Sequence, residues 1–154
     1  MKHLMYYKES SQFLISDDEF EKIKSEISSL KYILDEDGYI SVRICKTNVY
    51  VIRVYFQVPT SKCTEPAKGS VTSWIRYLND DDNFTEFIYR ISEILEDLGF
   101  EIFDVGEKPF SKWKKIDGKF EMISNIIEIK KKGCPKIGIQ PHNPWVNGPT
   151  THTI

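Results

Sequence analysis

The sequence predicts a single α+β domain over residues 1–154, with two or three helices packed on one face of a mainly antiparallel sheet of about five strands. Three observations carry this expectation. Two stretches repeat apolar residues at helical spacing, one stretch alternates them at strand spacing around a tight turn, and the order helix, hairpin, helix, strand departs from regular βαβ alternation. A chain of 154 residues, 40% of them hydrophobic, is long enough to bury one core and short for two.

The first helix is read in FLISDDEFEKIKSEISSLKYIL. Ser16 stands three residues before Glu19 as a capping box, and Phe20, Ile23, Ile27, Leu30 and Leu34 then fall on one stripe. After a turn at DEDG, the stretches YISVRIC and VYVIRVYFQV form a hairpin around Lys46-Thr47-Asn48. Its even face, Ile40, Val42, Ile44, Tyr50, Ile52, Val54, Phe56 and Val58, is apolar and is expected to pack on the helices. Its odd face is expected to show Arg43, Arg53, Tyr55 and Gln57 to water or a partner.

PTSKCTEPAKGS reads as a loop of about a dozen residues, and VTSWIRYLN as a short helix. In NFTEFIYRISEILEDLGF, Asn83 is placed to cap, Phe84, Phe87, Ile88, Ile91, Ile94, Leu95 and Leu98 make one face, and Gly99 ends the helix. FEIFDV reads as a strand and KWKKIDGKFEMI as a hairpin turning at Asp117-Gly118. Residues 124–132 fit a strand by their β-branched content and a short helix by their terminal lysines, with the strand preferred. The tail, 133–154, holds four prolines and is expected to be irregular.

The stretch GSVTSWIRYLNDDD, residues 69–82, raises the one enzymatic possibility. A Gly-Ser pair followed by Asp-x-Asp is how nucleotidyltransferases of the polymerase-β type hold a nucleotide and its metal ions. In that pattern the carboxylates sit on a strand with apolar spacers. Here Asp81 occupies the spacer and Asn83 follows, between two helical stretches where Asp82 and Asn83 serve as caps. Asp80, Asp81 and Asp82 are therefore read as a capping turn and not as catalytic residues. The three histidines and three cysteines show no metal or nucleophile spacing, and no phosphate-binding glycine motif appears, so neither cofactor nor metal is expected.

Charge divides along the chain more clearly than any motif does. Residues 16–37 and 65–107 are strongly acidic, and 38–64 and 108–136 are basic, although the net charge is only −2. The sequence holds 17 Lys against 4 Arg, 20 Ile and the single Ala67, a bias that AT-rich coding in a microbe or phage produces, so the lysines are weak evidence for nucleic-acid binding. Trp113 and Trp145 stand in a hairpin arm and an irregular tail. Such tryptophans serve as interface anchors or dock their own loop on the core.

Two function classes remain. One is a non-enzymatic protein-binding module, a small inhibitor or immunity-type protein whose acidic side, with Asp80, Asp81, Asp82, Trp113 and Trp145, meets a basic partner such as a toxin or defence nuclease. The alternative is a nucleic-acid-binding domain or enzyme with its site on the basic hairpins. No apolar run reaches the roughly 18 residues of a membrane span and the start lacks a signal-peptide core, so a cytoplasmic location is expected.

Overall fold

Ser16 decides where the first helix begins. In the computed structural model, which describes residues 11–35, 40–59, 71–104, 124–135 and 151–154, its hydroxyl accepts from the Glu19 amide at 3.1 Å. The Glu19 carboxylate accepts in return from the Ser16 amide at 3.0 Å. This reciprocal capping box satisfies two amides that a helix start leaves without partners. Helix α1, Asp17–Leu30, then buries Phe20, Ile23, Ile27 and Leu30, the expected stripe. The helix breaks at Lys31, so Leu34 is buried from a separate single turn, α2, Tyr32–Asp35.

The hairpin forms as β1, Ser41–Asn48, and β2, Val51–Gln57, with Arg43 opposite Tyr55 and Ile44 opposite Val54. Its turn differs from expectation. Lys46, Thr47 and Asn48 belong to β1, the chain reverses at Val49 and Tyr50, and the register shifts between Lys46 and Asn48. The Asn48 side-chain oxygen accepts from the Tyr50 amide at 2.8 Å, so a side chain replaces a strand bond and moves the reversal two residues along.

Helix α3, Val71–Asp80, confirms the short helix, and α4, Asp82–Asp97, is the longest in the described residues. Phe84, Phe87, Ile88, Ile91 and Leu95 of α4 are buried, and Ile94 is partly so. Leu98 is 38% exposed, because it is the C-cap residue and the chain turns away at Gly99, whose φ of +90° suits glycine. Strands β3, Phe100–Asp104, and β4, Ile126–Lys131, follow, which resolves the ambiguous 124–132 stretch as mainly strand. The tail contributes a strand, β5, Thr151–Thr153, that its composition did not announce.

The five strands lie in the order β3-β4-β2-β1-β5, each pair antiparallel. Helix residues and one sheet face share a continuous core that includes Ile23, Ile27, Val42, Ile44, Ile52, Val54, Phe56, Phe84, Phe87, Ile88, Ile127 and Ile129. This is the α+β arrangement of helices packed with an antiparallel sheet. The other face departs from expectation: Tyr55 is 2% exposed, and Cys45 and Val51 are as deeply buried, so the odd face of the hairpin is not a solvent face. The turn at 36–38, the loop at 60–70, the hairpin around Asp117-Gly118 and tail residues 136–150 lie outside the described residues.

Two outcomes follow from this packing. Leu95→Ala should destabilise by about 2–5 kcal/mol, whereas Glu96→Ala should stay within about 0.5 kcal/mol of wild type, measured by denaturant midpoint. The second concerns Glu19, which Lys131 of β4 reaches at 3.1 Å. Partial burial acts to raise its pKa, but hydrogen bonds from Ser16 and Lys131 outweigh that and hold it below the ordinary glutamate value. A depressed folded-state pKa contributes stability that is complete above about pH 4.3 and lost as pH falls through the folded value. The stability gap between wild type and Glu19→Gln should therefore narrow below about pH 4. A pH-independent gap would contradict the assignment.

Candidate functional site

The three consecutive aspartates occupy a sharp junction between two helices. Asp80 is the last residue of α3 and exposed, and Asp82 is the first residue of α4 and exposed. Asp81 between them is the N-cap. Its carboxylate oxygen Oδ1 accepts from the Asn83 amide at 2.8 Å and the Phe84 amide at 3.2 Å. The cap thus lies before Asp82 and Asn83, the residues the sequence suggested, because Asp81 holds the extended conformation (φ −88°, ψ 115°) from which a carboxylate reaches both amides.

The Asp-x-Asp pair thus lacks the single-strand setting of the nucleotidyltransferase pattern. Asp80 and Asp82 belong to different helices, with the carboxylate between them turned onto α4's own backbone. Among the described residues, no group of three or more His, Cys, Asp and Glu side chains is arranged to hold a metal ion. No helix among them is long and apolar enough to cross a membrane.

Beyond the junction the acidic character continues along α4. At 100° per residue, Asp82, Glu86, Glu93, Glu96 and Asp97 fall within about 100° of arc, and all five are exposed. They form a ridge about 22 Å long opposite the buried stripe. Its one base, Arg90, donates from Nε to Glu86 at 2.7 Å and from a terminal nitrogen to the Tyr32 hydroxyl at 3.4 Å. Glu93, Glu96 and Asp97 carry no ion pair among the described residues. By contrast, the exposed acids of α1 and α2 include several that are matched: Glu21 to Lys24, Asp17 to Lys46 and Asp35 to Lys31.

The second sheet face is the other concentration of polar chemistry. Arg53 of β2 donates to Glu128 of β4 at 2.8 Å, and both side chains are largely covered. Burial acts to lower the Arg53 pKa, but hydrogen bonding to Tyr55 and Glu128 outweighs it and raises the value, so the guanidinium stays charged. Burial raises the Tyr55 hydroxyl, with Arg53 opposing, and raises the Cys45 thiol, with Tyr55 and Arg53 opposing. A phenol and a thiol so protected stay neutral near pH 7, and neither is an activated nucleophile. Lys130, also buried, places its ammonium 4.2 Å from the Phe103 ring centre. The sequence assigned this face to water or a partner, because alternation alone does not show internal pairing. The signal available was the pairing of Arg53 with Glu128, which needs the β2–β4 register to be seen.

Of the five residues singled out in the sequence, the fold brings Asp80, Asp81 and Asp82 together at one junction, while Trp113 and Trp145 lie outside the described residues. No known protein family matches the chain, and no curated protein or solved structure matches it either.

The capping assignment has a direct check. Asp81→Ala should cost about 0.5–2 kcal/mol, while Asp80→Ala and Asp82→Ala should each stay within about 0.5 kcal/mol. Equal losses at the three positions in urea unfolding would contradict it.

Proposed function

We propose that this chain is a non-enzymatic protein-binding module, a small inhibitor or immunity-type protein acting in the cytoplasm on a toxin or defence nuclease with a basic surface. The observation that carries this reading is the α4 ridge, where five exposed carboxylates line one helix with a single base already engaged by Glu86. Together with Asp80 at the helix junction, the ridge presents a negative field whose length suits a basic groove. Such a field steers encounter with a cationic partner and repels nucleic acid, which would otherwise compete for that partner.

The bases of the first hairpin weigh in the same direction. Arg53 is paired with Glu128 and largely covered, and Lys46 is paired with Asp17, so these two cations are already engaged within the fold. Phosphate binding gains by releasing counterions from exposed cations, and a guanidinium committed to an internal carboxylate offers little of that gain. The remaining basic stretch, with Lys114, Lys115 and Lys119, lies outside the described residues.

Charge reversal separates the two classes. Replacing Asp80, Asp82, Glu93 and Asp97 with Lys should weaken binding to a basic nuclease partner, chiefly through a slower on-rate, and wild-type binding should itself weaken as salt rises. The thermal midpoint should move little, since these side chains are exposed. Labelled single-stranded and double-stranded DNA and RNA at about 50 mM salt supply the opposing test, because that condition favours electrostatic binding. Micromolar nucleic-acid binding lost on reversing Lys114, Lys115 and Lys119 to Glu would overturn the inhibitor reading.

A further inference from the structure

We draw no further inference here: the strongest candidate, the exposed Tyr32 ring beside the middle of the α4 ridge, whose hydroxyl accepts from Arg90 at 3.4 Å, belongs to the acidic surface already described, and nothing in the structure shows what covers it.

Discussion

The contact on which the rest of this structure depends is Phe56 against Phe84 and Phe87. The central-strand ring meets Phe84 edge-on at 4.9 Å and Phe87 at 6.1 Å, and all three are fully buried. Such edge-to-face pairs add to the burial of large aromatic area, so this cluster seats the first turn of α4 on β2. Everything on α4 then follows in phase. With Phe84 and Phe87 turned inward, the Asp81 cap must lie just before them, and the carboxylates from Asp82 to Asp97 must point to solvent. The acidic ridge is thus a geometric consequence of the aromatic seat.

The sheet divides its two faces by different physics. The helix side is held by apolar burial, which is strong and not directional. The opposite side carries Arg53, Glu128, Tyr55, Cys45 and Lys130 in largely covered positions. A covered ion pair contributes little net stability, because desolvation offsets most of its attraction. Its effect is on register: sliding β4 by one residue against β2 would leave a guanidinium and a carboxylate covered without each other. Lys131 adds a second tie, from the sheet to the capping box of α1 through Glu19.

The α4 ridge and the β1 edge differ in kind. The α4 ridge is built of side-chain charge, whose field salt screens, whereas the β1 edge is built of backbone groups that β5 pairs.

What the sequence determined by itself is whatever rests on local pattern. The capping box of Ser16 and Glu19, the stripes of α1 and α4, the Gly99 terminus and the alternation of the hairpin were legible because each is set within one or two turns of chain. The aspartate junction was legible as a capping turn, though the capping carboxylate is Asp81, since only the backbone angle at 81 decides which of three neighbouring acids reaches the amides. The tertiary structure alone decided the rest. Tyr55 alternates as a solvent residue should, yet it is buried, because alternation separates two faces without saying whether the second is covered. Thr151–Thr153 has no strand signature of its own and becomes β5 only because β1 offers an edge more than 100 residues earlier in the chain. Pairings between distant segments leave no local trace, so the Arg53–Glu128 bridge and the β1–β5 pairing exist only once the sheet has assembled.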